Sequence, residues 1–169
     1  MTLTPTPPIA LAIPEVVNKL VDLAECVCAY LAVEGAGETC WCGLYPGSAV
    51  SWEYCTECSN GMCGMGYVRP ASASSYEVFP QPAIDIRCTL PMAWGVEVGA
   101  LRCLHTPEDG TLLDVGSMAE ATIRQILDAR ALRNAIKCCG LNIGLGSWIP
   151  LGPQGGCVGG YWQAFLDVD

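Results

Sequence analysis

Apolar residues return at helical spacing early in the chain. Val17, Leu20, Val21, Ala24, Val27, Cys28 and Leu31 follow steps of 3, 1, 3, 3, 1 and 3, with Glu15, Asn18, Lys19, Asp22 and Glu25 off that stripe. This spacing predicts an amphipathic helix with one buried face. Val16, Leu23 and Tyr30 form a second, narrower apolar line, so the helix is expected to meet more than one surface. Pro14 suits its first turn, where a missing amide costs nothing, and Gly35-Ala-Gly37 ends it. Ahead of it, four prolines among the first fourteen positions exclude a regular helix and predict an extended arm over residues 1–13.

The middle of the chain changes period. Ile84, Ile86, Cys88 and Leu90 alternate with Asp85, Arg87 and Thr89, and after Pro91 the alternation resumes with Trp94, Val96 and Val98 on one face. Period two marks half-buried strands, so residues 84–104 read as a long bent strand or two strands in line. Ser48–Tyr54 and Met62–Arg69 are further strand candidates, joined through the turn sequence Ser59-Asn-Gly61. Pro70–Ser75 reads as a loop of small residues, and His105–Gly110 as an exposed loop.

A second helix is announced by Ser117-Met-Ala-Glu120, which has the form of a capping box, and it closes at Cys138-Cys139-Gly140 with Gly140 as a left-handed cap. Ala119, Thr122, Ile123, Ile126 and Leu127 share a face, whereas Leu132, Ala135, Ile136 and Cys139 lie on a rotated one. The helix therefore kinks near Asp128 or contacts two surfaces. Leu141–Ile149 then forms a strand and residues 150–160 a glycine-rich turn. In the final run Trp162, Ala164, Leu166 and Val168 alternate with Tyr161, Gln163, Phe165 and Asp167. The two strands make a closing hairpin. Taken together, residues 14–169 form one α+β domain, an antiparallel sheet packed against two helices with a C-terminal β-hairpin.

Composition adds one constraint to this picture. Of 169 residues, 51% are hydrophobic and only 15% charged, yet no run of 18 apolar residues occurs. The excess is not a membrane span, and it points to apolar surface covered by further subunits. The formal net charge is −9, with eight Lys and Arg scattered singly, so phosphate-backbone binding by a basic patch is not expected. Met1–Pro8 has no basic n-region and is broken by prolines, unlike a secretory signal peptide, which points to synthesis and assembly in a cytoplasm.

Twelve cysteines then need an explanation. Cys40-x-Cys42 with Cys55-x-x-Cys58 offers four thiolates for a structural zinc, though CxC is a poorer knuckle than CxxC. Buried free thiols and late-formed disulfides compete with it, and the vicinal Cys138-Cys139 with the outlying Cys88, Cys103 and Cys157 suits those readings better. No residue is assigned as catalytic, cofactor-binding or metal-binding. The single histidine, His105, sits beside a Thr-Pro turn without an acid or nucleophile to serve. Asp85, Asp109, Asp114, Asp167 and Asp169 form no acid/base spacing, and the glycines at 144, 146, 155, 156, 159 and 160 lack the Gly-Lys-Ser/Thr of a phosphate loop. No enzyme and no cofactor is expected.

The order of elements resembles the tail-terminator fold of long-tailed bacteriophages, and the local sequence resembles small neck proteins of phages infecting actinobacteria. The stretches that carry this are Glu25-Cys-Val-Cys28, Cys40-Trp-Cys-Gly43, Cys63-Gly-Met-Gly-Tyr-Val-Arg69, Gly95-Val-Glu-Val-Gly99 with Arg102-Cys103, and Gly146–Gly160. The resemblance implies a virion protein forming a homo-oligomeric ring, usually of six subunits, at the head–tail junction. Such a ring caps the tail tube, meets the tail tube protein and the head connector or stopper, and lets DNA pass through its lumen without specific binding. The arm at 1–13 and residues 150–160 are the expected contact elements. A stopper or adaptor of the same neck, and a zinc-stabilised interaction module, are the alternative readings.

Overall fold

The computed structural model describes residues 13–47, 49–51, 64–83, 90–104, 114–154 and 156–167. The elements run α1 (Ile13–Glu34), β1 (Trp41–Leu44), β2 (Gly64–Val78), β3 (Gln81–Pro82), β4 (Met92–Cys103), α2 (Val115–Cys138), β5 (Ile143–Gln154) and β6 (Cys157–Asp167). The fold is α+β, as its sequence pattern predicts. Five strands form one path in the order β1-β2-β4-β6-β5, and β3 pairs with the far end of β2. All pairings are antiparallel except β1 with β2, which is parallel, so the sheet is mixed rather than purely antiparallel. The expected arm over residues 1–13 lies outside the described residues except for Ile13, which already belongs to α1.

Both helices lie on one face of the sheet and against each other, α1 over β1 and β2, α2 over β4, β6 and β5. The main core sits between them: Leu20, Leu23, Val27 and Leu31 of α1 meet Ala131, Leu132, Ala135 and Ile136 of α2 above Val68, Val96, Val98, Ala164 and Leu166 of the sheet. Fully burying each of the larger aliphatic side chains stabilises the fold by roughly 1.5–3 kcal/mol. The buried line of α1 is centred on Leu23 and Val27, because α2 covers that flank. Val17 and Val21, expected in the stripe, are left exposed. The narrower second line (Val16, Leu23, Tyr30) is the one that packs toward α2 and the core.

The opposite sheet face carries a smaller core of Met65, Tyr67, Leu101 and Cys157, with Trp41, Tyr45 and Val50 packed against it. Tyr67 lies across Gly99, whose missing side chain leaves room for the ring. Arg69 fastens the cover: it pairs with Glu97 at 2.6 Å and donates from Nη1 to the Gly47 carbonyl at 3.0 Å.

Several elements differ from expectation for identifiable reasons. Residues 70–75 are strand, not loop: Pro70 pairs with Val96, and Ser72–Ser75 pair with Gly95–Met92 around a bulge at Ala71. β1 ends opposite Val68, so Pro70 lies beyond that pairing, where a strand tolerates a residue without an amide. Backbone pairing with β4 thus overrides the loop-like composition. The strand expected at 84–104 is seen as Met92–Cys103, and residues 84–89 are outside the described set. The strand expected at 48–54 is not formed over residues 49–51, and its remaining positions are not described.

Helix α2 starts three residues before the expected capping box. Its N-cap is Asp114, whose carboxylate accepts from the backbone amides of Gly116 and Ser117, while Ser117 Oγ donates to it as well. The hydroxyl expected to cap the helix therefore supports the true cap. These hydrogen bonds, that from the Ser117 hydroxyl first, hold the Asp114 carboxyl below its ordinary value. Gly140 at φ +71° closes the other end, as expected.

The closing hairpin is present but much tighter than predicted. β5 and β6 pair from Ile143↔Leu166 to Gln154↔Cys157, so residues 150–154 and 157–160 are strand, Gly156 is in the turn between them, and Gly155 lies outside the described residues. The glycines at 159 and 160 serve close packing instead of a flexible link. A side chain on Gly159 would overlap the Ala100 carbonyl and reach within 2.9 Å of Leu101 Cα, and one on Gly160 would overlap the Trp148 ring.

Candidate interaction surface

The charged groups inside the molecule are occupied with holding it together. Arg102 on β4 reaches through the core to Asp128, with Nε to Oδ2 and Nη2 to Oδ1 both at 2.8 Å. Its remaining donors meet the carbonyls of Glu38 and Gly37, each at 2.9 Å, and the Ala36 amide donates to Asp128 Oδ1 at 2.8 Å. This network pins the end of α1 and the start of the α1–β1 connection to both β4 and α2. It also explains the shift of apolar face along α2. The helix runs unbroken through Asp128, which replaces an apolar residue in the buried stripe because Arg102 stands opposite. Of the first apolar line, Ala119, Thr122, Ile123 and Ile126 are exposed, so it meets no second surface within the subunit as the sequence led one to expect.

Among the described residues the cysteines are largely paired. Cys26–Cys139 ties α1 to the end of α2, and Cys28–Cys42 ties α1 to β1. Cys40, Cys103 and Cys157 are in disulfides too, whereas Cys138 is an exposed free thiol. Cys40 and Cys42 therefore supply no thiolates to the four-cysteine zinc site drawn from the sequence, and Cys55 and Cys58 lie outside the described residues. Among the described residues no three His, Cys, Asp or Glu side chains are grouped to hold a metal.

Of the acidic residues considered above, Asp114 caps α2 and Asp167 accepts from the Tyr76 hydroxyl at 2.7 Å and from Asn142 at 2.6 Å. His105, Asp85, Asp109 and Asp169 are outside the described residues. Burial, reinforced by the Glu97 carboxylate, pushes the Tyr67 phenol far above its ordinary range, so it stays neutral. Among the described residues none of these groups come together as an acid/base pair.

What remains is surface. The helix layer and the sheet end together at two lateral margins. At one, α1 overhangs the terminal strand β1 and leaves an apolar groove lined by Val21, Ala24, Cys28, Gly43 and Leu44, with Glu25 on its rim. Val17 continues this line one turn earlier and is exposed, as is Asp22. At the other, α2 overhangs the terminal strand β5 and leaves a groove lined by Met118, Thr122, Pro150, Leu151, Pro153 and Val158. Gln125 bridges its floor by donating to the Gly159 carbonyl. Beyond the groove the outward side of α2 exposes Val115, Ile123 and Ile126, at 87%, 59% and 63% of their full accessibility.

Exposed aliphatic residues in such numbers on a helix are uncommon for a chain that works alone. The sequence pattern contained the signal, because Ala119, Thr122, Ile123 and Ile126 were apolar positions off the Leu132–Ile136 line. Only the packing identified which of the two lines is left outside. Among the described residues no helix is long and apolar enough to cross a membrane. Compared with known protein families and with curated proteins, the chain matches none.

Proposed function

We propose that this protein is a structural subunit of a homo-oligomeric ring at the head–tail junction of a long-tailed bacteriophage. In this reading it caps the tail tube as a tail terminator and joins it to the head connector. The resemblance in sequence stretches and element order suggests the setting. The observation that carries the assembly role is the presence of apolar grooves at both lateral margins of one open sheet, continued by exposed aliphatic residues on α1 and α2. A subunit flanked by copies of itself covers two such margins at once, which removes the exposed apolar area from water.

The interior chemistry is consistent with a scaffold. The Arg102–Asp128 and Arg69–Glu97 pairs fix connections to the sheet and present no reactive group. The net charge of −9 suits a ring whose lumen passes DNA without holding it, since acidic side chains repel phosphates. Electron microscopy of the purified protein, and of necks from virions, tests the reading. Closed rings of uniform size, and phages with tails of abnormal length when the protein is lost, are the expected results. A compact monomer at every concentration, together with absence from assembled virions, would overturn it.

A further inference from the structure

The two lateral margins differ in sign of charge. At the α1 margin Glu25 stands on the rim of the groove, and Asp22, three residues before it on the same helix, is exposed. Along α2 the line that passes Thr122 and Ile126 continues at helical spacing to Arg130, Arg133 and Lys137, all exposed. Arg124, Arg130, Arg133 and Lys137 are four of the eight Lys and Arg residues in the chain, and two of the others, Arg69 and Arg102, are held in internal ion pairs. None of Asp22, Glu25, Arg130, Arg133 and Lys137 has an ion-pair partner among the described residues. Arg124 pairs with Glu120 on the same helix, which leaves Arg130, Arg133 and Lys137 as a local positive field without a counter-ion among the described residues.

We infer that the chain assembles head to tail, with the acidic α1–β1 margin of one copy seated on the basic α2–β5 margin of the next. This rests on the ring reading above and specifies its interface. Three features fit together across such a contact. Val17 and Val21 meet the aliphatic line of Met118 and Ile126. Asp22 and Glu25 face Arg130 and Arg133. The terminal strands β1 and β5 come side by side at the base of the contact.

A two-fold contact between identical margins is disfavoured, because it would set Asp22 and Glu25 against their own copies, or Arg130 and Arg133 against theirs. Like charges across an interface select against that partner more strongly than opposite charges add affinity. A contact between two different margins repeats in one direction, and it closes into a ring when the rotation allows.

The test reverses each margin separately in the full-length protein. Asp22→Lys with Glu25→Lys makes the first margin basic, and Arg130→Glu with Arg133→Glu makes the second acidic. Oligomeric state is read by native mass spectrometry and sedimentation at low and high salt, with near-ultraviolet circular dichroism to check the fold. Each variant alone is expected to weaken assembly roughly tenfold or more at low salt, since attraction becomes repulsion. An equimolar mixture of the two is expected to assemble again with the variants alternating, and so is the chain carrying all four substitutions.

If the wild type assembles and either reversal leaves assembly unchanged, the margin assignment is overturned while the ring reading stands. Disruption by each variant without recovery in the mixture or the quadruple variant also overturns the assignment. A wild type that never assembles overturns the margin assignment, and together with absence from assembled virions it overturns the ring reading as well.

Discussion

Removing the Asp128 carboxylate tests whether the buried ion pair organises the junction of α1, β4 and α2. In Asp128→Ala, Arg102 keeps its carbonyl partners at Gly37 and Glu38 but loses both contacts to carboxylate oxygens, and the Ala36 amide loses its acceptor. The side chains of Arg102 and Asp128 are only 5% and 3% exposed, so water does not replace the lost partner. Leaving one member of a buried pair uncompensated costs about 3–5 kcal/mol. The orphaned amide costs about 1–3 kcal/mol by itself, and because the two losses share one carboxylate their sum is an upper limit.

A loss of about 4 kcal/mol corresponds to a fall in Tm of roughly 8–16 °C for a domain of this size. Thermal and urea unfolding followed by circular dichroism would measure it, and hydrogen exchange at the Ala36 amide supplies the local readout. Asp128→Asn retains an oxygen for Ala36 but turns an amide donor toward Arg102 Nε, so it should lose much of the stability yet keep more of the Ala36 protection. Arg102→Met combined with Asp128→Leu should recover part of the loss, because no buried charge is then left unpaired. A Tm change under about 3 °C in Asp128→Ala, with Ala36 still protected, would refute this account of the junction.

Gly159→Ala should destabilise the fold by about 1–3 kcal/mol or more through overpacking, whereas Gly152→Ala, with open space around it, should change the urea midpoint little. Opening Cys26–Cys139, which spans 113 residues, should cost more than opening Cys28–Cys42, which spans 14. Chain entropy sets the two at about 5 and about 3 kcal/mol, and melting of the paired Cys→Ala variants under non-reducing conditions checks the order. The Asp114 carboxyl is held below its ordinary value of 3.8 by the cap, so its contribution to α2 is complete above that pH and is lost as pH falls through the lowered value. An NMR titration should find the lowered midpoint, Ser117→Ala should move it back upward, and an unshifted midpoint in the wild type would count against the cap.

Periodicity made the element types legible. The α1 stripe, the alternation of Trp94, Val96 and Val98, and that of Trp162, Ala164 and Leu166 each encode one buried face. Burial of a face is a local pattern that a helix or strand writes into its own sequence. Glycine and proline are ambiguous signals at residues 70–75 and 150–160. Those residues mark a turn, an edge or a close backbone approach alike, and the choice depends on what lies across from them. Pro70 is accommodated because β1 stops at Leu44, and Gly159 is small because Ala100 and Leu101 press against it.

The same division holds at the surface and in the core. The sequence by itself determined an α+β chain with two amphipathic helices and a closing hairpin, and an excess of apolar residues over what one copy of ordinary composition carries. Tertiary structure alone decided that Asp128 would meet Arg102, that Cys26 would pair with Cys139, and that Val17, Val21, Ile123 and Ile126 would stay outside. The partners in each of those contacts come from distant segments. Which of two apolar lines is buried depends on the neighbour that arrives to cover it, and no local pattern names that neighbour.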